Sequence, residues 1–156
     1  MATSSIHVWL ILWKATRAIE AYAHKSIEHL GLGVTDFAVL EALLHKGPLL
    51  INDLGKRVLL TSGSITAAVD RLEKQELVER RNDPVDRRAR LVHLTPRGLK
   101  LIKKAFAQHE EDIEQLMSEI PVRERTQLVA SLRKLGTTAA QLVGGQNSWQ
   151  RKENDQ

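Results

Sequence analysis

Apolar side chains recur at helical spacing through most of the chain. Ile6, Trp9, Leu10, Trp13 and Ile19 follow one stripe, with Lys14, Arg17 and Glu20 off it, which predicts a helix over 6–29. Gly31 and Gly33 end it. Phe37, Leu40 and Leu44 form one face of a second helix, with Thr35 as the expected N-cap and Asp36 in the positive first turn. Gly47-Pro48 stops that helix, and Leu49 to Ile51 reads as a minimal strand. A two-turn helix follows over about 52–59. Gly55 sits inside it at a cost of about 1 kcal/mol against Ala, so close packing against a neighbour is the expected reason. Thr61-Ser62-Gly63-Ser64 opens a fourth helix with Ile65, Val69 and Leu72 facing inward.

The period then changes. Leu77 to Arg81 reads as a strand, Asn82-Asp83-Pro84 as a turn, and Arg90 to Leu94 as the returning strand of a hairpin with a long charged tip. Thr95 caps a fifth helix with Pro96 at its first position. Its apolar positions are Leu99, Ile102, Phe106, Ile113, Leu116 and Ile120, heptad-like, with His109 in the seam and Pro121 as the break. A sixth helix carries Leu128, Leu132, Leu135, Ala139 and Leu142 and ends at Gly144-Gly145.

This order predicts a mainly α fold with a small β-hairpin wing, a winged helix-turn-helix domain. The first, fifth and sixth helices carry more apolar face than one small domain covers, which argues for a helical dimerisation region and a homodimer. The expected division is residues 1–34 as the N-terminal helix of that region and 35–96 as the winged lobe. Residues 97–145 would be the C-terminal dimerisation helices and 146–156 a polar, disordered tail.

Composition narrows the function. The chain has 156 residues, enough for a core without staples, and no cysteine, which excludes disulfides, a Cys-ligated zinc and a thiol redox switch. Its net charge is only +4, but between Glu79 and Lys104 nine basic residues face three acids, a local excess of +6. The positive charge is therefore concentrated at the hairpin and just after it. Arginines on such a tip suit the narrow minor groove of DNA, although the same charges on a solvated loop would only confer solubility. Hydroxyls crowd the start of the fourth helix at Thr61, Ser62, Ser64 and Thr66, more than N-capping requires, and form a phosphate-anchoring surface. On the same helix the small Ala67 permits deep seating in a major groove, and Arg71 reaches toward phosphate or guanine. No stretch approaches the ~20 apolar residues of a membrane span and no secretory leader is evident, so a cytoplasmic protein is expected. No nucleophile elbow, P-loop or nucleotide-binding glycine fingerprint is found, so an enzyme is not expected.

The segment Asp86-Arg87-Arg88-Ala89-Arg90-Leu91-Val92-His93-Leu94-Thr95 matches every fixed position of D-x-R-x-x-x-V-x-L-T, and on it the chain resembles the MarR family of winged-helix repressors. Ser64-Ile65-Thr66, Val69, Arg71-Leu72-Glu73 and Leu77-Val78 resemble the family's recognition helix and first wing strand. The resemblance covers roughly residues 6–143 and implies a homodimer on a pseudo-palindromic double-stranded operator. It places Thr61, Ser62, Ser64, Thr66 and Arg71 on the major-groove side, and Asp86, Arg87, Arg88 and Arg90 on the wing. Arg88 would enter the minor groove, oriented by Asp86. Two positions depart from the family pattern: the Leu59-Leu60 turn lacks the usual glycine, and position 76 is Glu where Gly is common.

The resemblance also implies a small aromatic effector. The stretch from Leu59 to Thr66 is similar to the quinone- and hydroquinone-responsive members, which points to a phenol. Trp9 and Trp13, with Arg17 one turn on and Phe37 on the second helix, are the candidate effector residues; alternatively the tryptophans fill the dimer core. His24, His45 and His109 fall on elements from which some relatives ligate zinc, which leaves a zinc-responsive regulator as an alternative. No pair has HxxxH spacing, and no metal or cofactor is expected. A winged helix serving only protein interaction is a third reading, against which the concentrated +6 stands.

Overall fold

The computed structural model describes residues 3–86 and 88–144. The tail expected to be disordered therefore lies outside the described residues, as do Gly145 and Arg87. The chain divides into two compact units that part between Ile113 and Glu114.

The first unit begins with α1 (Ser5–His29), α2 (Val34–Lys46), β1 (Leu49–Leu50), α3 (Ile51–Arg57) and α4 (Ser62–Lys74). β2 (Val78–Asn82) and β3 (Arg90–Leu94) follow, and α5 (Pro96–Leu116) runs on past the boundary. The strands form one antiparallel sheet in the order β1-β3-β2, with Arg80 opposite Val92 and Leu49 opposite Val92 on the other side. On β3 Val92 is buried in the core, whereas Arg90, on the same face but two residues nearer the wing tip, is exposed.

The core gathers one face of each element: Val39, Leu40 and Leu43 from α2, Leu54 from α3, and Ile65, Ala68, Val69 and Leu72 from α4. Leu77, Val78, Val92 and Ile102 close it. Each fully buried aliphatic side chain contributes about 1.5–3 kcal/mol. Gly55 lies where α3 meets α4, and a Cβ there would stand 3.1 Å from Ile65 Cγ2, the close packing its position in the sequence implied.

Two expectations at helix ends are corrected. Thr35 is not the N-cap of α2; Gly33 is, and its extended backbone carbonyl accepts from the Phe37 N–H at 2.9 Å, so Thr35 lies within the first turn. The fifth helix stops at Leu116 instead of running to Ile120. The Arg125 guanidinium donates to the carbonyls of Met117 at 2.8 Å and Ile120 at 2.7 Å, which stabilises a non-helical turn before Pro121.

At the other end of α5, Thr95 Oγ1 accepts from the Gly98 N–H at 3.0 Å and donates to the Glu76 carbonyl at 2.7 Å, so one hydroxyl caps the helix and ties it to the base of β2. Gly98 permits that approach: a Cβ there would meet the Leu77 carbonyl oxygen at 1.9 Å. The two departures from the family pattern, Leu59 and Glu76, both adopt the left-handed conformation, with φ of 57° and 58°.

The apolar stripe of α1 remains largely uncovered. Ile6, Trp9, Leu10, Trp13 and Ile19 are all exposed, and only Ser26 and Ile27 of the helix are buried.

In the second unit α6 (Val122–Leu142) carries no buried residue, and Leu128, Leu132, Leu135 and Leu142 are exposed. Arg125 pairs with Glu114 at 2.7 Å within the same unit. Among the described residues no helix is long and apolar enough to cross a membrane.

Candidate nucleic-acid interface

The two-faced pattern of α4 decides which of its side chains are presented. Ile65, Ala68, Val69 and Leu72 are buried, so Ser62, Ser64, Thr66, Ala67, Asp70 and Arg71 face outward. Thr61 is the N-cap: its Oγ1 accepts from the Ser64 N–H at 3.3 Å and donates to Ser64 Oγ at 2.9 Å. Thr66 Oγ1 donates to the Ser62 carbonyl at 2.9 Å. The four hydroxyl residues thus share one exposed helix end, where the helix dipole and the first-turn N–H groups favour an anion.

Arg71 extends from this face to Asp36 in the first turn of α2, at 2.7 Å. The hydrogen bond and the charge of Asp36 together raise the guanidinium pKa above its ordinary value. The residue expected to reach DNA is therefore held by a second helix.

Within the wing, two carboxylates organise the backbone. Asp83 Oδ1 accepts from the Val85 N–H at 2.7 Å, and Asp86 Oδ1 accepts from the Arg88 N–H at 2.9 Å. Ala89 and Asp83 close the loop through a backbone bond of 3.0 Å. Asp86 thus sets the main chain at Arg88. The Arg88 and Arg90 side chains are exposed; Arg87 lies outside the described residues.

Arg80, one of the nine basic residues of this region, is turned inward. It pairs with Asp70 and Glu73 of α4, its own N–H donates to Glu73 Oε1 at 3.1 Å, and its side chain is only 15% exposed. Partial burial works against its charge, but the hydrogen bonds it donates to Asp70 and Glu73, with the charges of those acids, outweigh it and the pKa is raised. The sequence counts Arg80 among the surface charges; its place two residues after Val78, on the same face of a strand, was the available signal.

The four candidate effector residues do not converge. Trp9 and Trp13 stack with ring centroids 6.5 Å apart and are both about half exposed, as is fitting for successive turns of one face. Arg17 is exposed one turn further on. Phe37 is buried, with its ring edge-on to His109 at 5.0 Å. His109 in turn meets Ser26 on α1, 13 residues beyond Trp13 and so about 20 Å along the helix. His45 packs edge-on against Phe106 at 4.7 Å. Among the described residues no group of three or more His, Cys, Asp or Glu is arranged to hold a metal.

Comparison with known proteins agrees with this geometry. A model of the MarR family matches residues 30–89, from the end of α1 to the wing. The Bacillus subtilis HTH-type transcriptional regulator MhqR is 36% identical over 141 residues, covering 90% of this chain and 97% of that protein. The structure of Bordetella bronchiseptica BpsR, whose DNA binding is regulated by 6-hydroxynicotinic acid, superposes with a TM-score of 0.71 at 28% identity, over 82% of this chain and 97% of that one. AbsC of Streptomyces coelicolor shares the fold at a TM-score of 0.79 and 21% identity, over 92% of this chain and 99% of its own. With a close relative aligned over nearly its whole length and the winged lobe in place, the chain belongs to the MarR family of transcriptional regulators.

Proposed function

We propose that the protein is a homodimeric, sequence-specific repressor that releases its operator when a small aromatic molecule binds. The observation that carries the DNA reading is the hydroxyl-rich end of α4 beside a wing whose acids bond its own backbone while Arg88 and Arg90 face solvent. In this reading Thr61, Ser62, Ser64 and Thr66 anchor α4 at the major groove, with Arg71 behind them. Asp86 sets the wing turn, and Arg87, Arg88 and Arg90 engage the minor groove and backbone. The winged lobe over 35–96 reads the operator, and the helices over 1–34 and 97–145 serve dimerisation. The uncovered apolar faces of α1 and of α6 support self-association, because faces of this kind are rarely left in water.

Two-fold symmetry places the half-sites about one helical turn apart, ~10 bp. An aromatic effector is supported by the behaviour of BpsR and by the stacked, exposed Trp9 and Trp13 with Arg17 nearby. Release follows if the effector binds better to a dimer whose two α4 helices no longer match the half-site spacing.

The test is selection from a randomised duplex library at ~150 mM salt, followed by titration of the enriched and a scrambled duplex. A preference of ~10³ or more is expected. Arg88→Ala should cost about 1–3 kcal/mol of that affinity. Enrichment of no sequence, or equal binding to both duplexes, would remove the regulator reading of this surface. Phenols and aromatic acids added to the same complex should release it, with quenching of tryptophan fluorescence; release by none of them would remove the effector.

A further inference from the structure

Adjacent residues of α4 are tied in different directions. Arg71 bonds Asp36 on α2, while Asp70, with Glu73 one turn on, bonds Arg80 on β2. The helix meant for the major groove is therefore braced to the scaffold through one residue and to the wing through the next.

We propose that Arg80 is a positioning residue for DNA reading: it fixes the angle between α4 and the wing, and touches no DNA itself. This rests on the DNA-binding reading above. A regulator of this shape engages two grooves at once, so the separation of α4 from the wing tip must match the separation of the grooves. The tip lies beyond Asn82 and Arg90, at the far end of a two-stranded ribbon, and any rotation at its base is magnified there. Arg80 stands at the middle of β2, opposite Val92, where β1 still pairs β3, and so at the root of the projecting tip. Its planar guanidinium presents separate edges to two carboxylates on successive turns of α4, and its backbone N–H bonds one of them as well. That arrangement resists both sliding and rotation, which a single ion pair between flexible chains does not. Arg80 sits opposite Val92 on the central strand, so the clamp is anchored in the core as well. With one cation between two acids, the cluster has no positive charge to offer a phosphate.

The last point makes the proposal testable, because a phosphate contact and a brace leave different marks on salt dependence. Each neutralised phosphate contributes about 0.9 to the slope of log affinity against log salt. The probe is the duplex enriched by selection with the wild-type chain, and its scrambled counterpart serves as the non-specific reference. Arg80→Met should weaken binding to the enriched duplex by about tenfold or more, leave scrambled binding nearly unchanged, and keep the wild-type slope. Arg80→Lys, able to reach one acid but not clamp both, should fall between.

Arg80→Met also exposes two acids, so the uncharged variant Asp70→Asn/Glu73→Gln/Arg80→Met is needed; it raises the net charge by one and is therefore judged on its preference for the enriched over the scrambled duplex. It removes the brace without leaving uncompensated charge and should show as weak a preference as Arg80→Met. Thermal unfolding of each variant confirms that binding is measured on folded protein. Asp70→Asn/Glu73→Gln, which keeps Arg80, provides the readout should Arg80→Met not fold; it should show the same loss of preference.

Wild-type preference for the enriched duplex in this uncharged variant would overturn the proposal, since Arg80 would then only mask acids. A slope reduced by about one in Arg80→Met would overturn it in favour of a direct phosphate contact. Unchanged affinity in every variant would also overturn it. If selection with the wild-type chain enriches no duplex, the DNA reading itself has failed, an outcome distinct from wild-type preference retained by the variants.

Discussion

Asp36 at the start of α2 holds Arg71 of α4 at 2.7 Å, across 35 residues of sequence. The carboxylate is mostly buried, with its side chain 13% exposed, while the guanidinium is half in solvent. That asymmetry makes Asp36 the more constrained member: its charge needs a partner, whereas Arg71 has water as an alternative. A double-mutant cycle of Asp36→Asn and Arg71→Gln by urea unfolding should show a coupling of about 1 kcal/mol, discounted for the exposed guanidinium. Additive single effects would mean that the pair is not maintained in solution.

Gly98→Ala should be among the most damaging single-methyl additions to the protein. The new Cβ would meet a backbone carbonyl, which cannot rotate away as a side chain does. A loss of about 3 kcal/mol is expected, read as a lower urea midpoint at unchanged m. A midpoint within error of wild type would show that α5 can slide off β2 at little cost.

Leu59→Gly should stabilise. Leu59 is 87% exposed at a φ of 57°, so it has left-handed strain without compensating burial. Removing the strain outweighs the added freedom of the unfolded chain, for a net gain of about 0.5–1 kcal/mol. A lower melting temperature would show that the side chain makes contacts in the folded state that outweigh its strain.

The hydroxyl of Ser26 has one proton to give, and it goes to Asp112 Oδ2 at 2.5 Å. His109 Nδ1, 2.9 Å from the same oxygen, must then be the donor. Nitrogen-15 NMR of the neutral imidazole should show the proton on Nδ1. In Ser26→Ala the ring should lose that tautomer preference, and α1 should keep the Tyr22 hydroxyl bond to the Asp112 carbonyl as a polar tie to α5. A proton on Nε2 in the wild-type chain would mean that Ser26 donates to His109 instead.

The helices, hairpin and wing were legible because burial imposes a period. Val92 is buried between the partly exposed Leu91 and His93, as on a half-buried strand, and Ile65, Val69 and Leu72 recur as an amphipathic helix must. The motif from Asp86 to Thr95 was legible because it serves local backbone geometry: Asp86 bonds an N–H two residues away, and Thr95 caps the helix that follows it. The N-cap of α2 was misplaced because Gly33 caps with its backbone alone, which leaves no side-chain signature. The fifth helix was overextended because its end depends on Arg125, a residue beyond the break. Phe37 was grouped with Trp9 and Trp13 because all are aromatic and lie on neighbouring helices; only packing showed it against His109.

The sequence by itself thus determined the order of elements, the amphipathic face of the fourth helix and the concentration of positive charge along the hairpin and just after it. Those properties follow from spacing and composition, which are local along the chain. The tertiary structure alone decided which of those charges face solvent. Arg88 and Arg80 look equivalent in the sequence, yet one stands exposed on the wing and the other is bound between Asp70 and Glu73. The difference arises because a guanidinium, always charged, is costly beside a buried strand unless acids pair with it, and those acids come from a helix that only folding brings alongside.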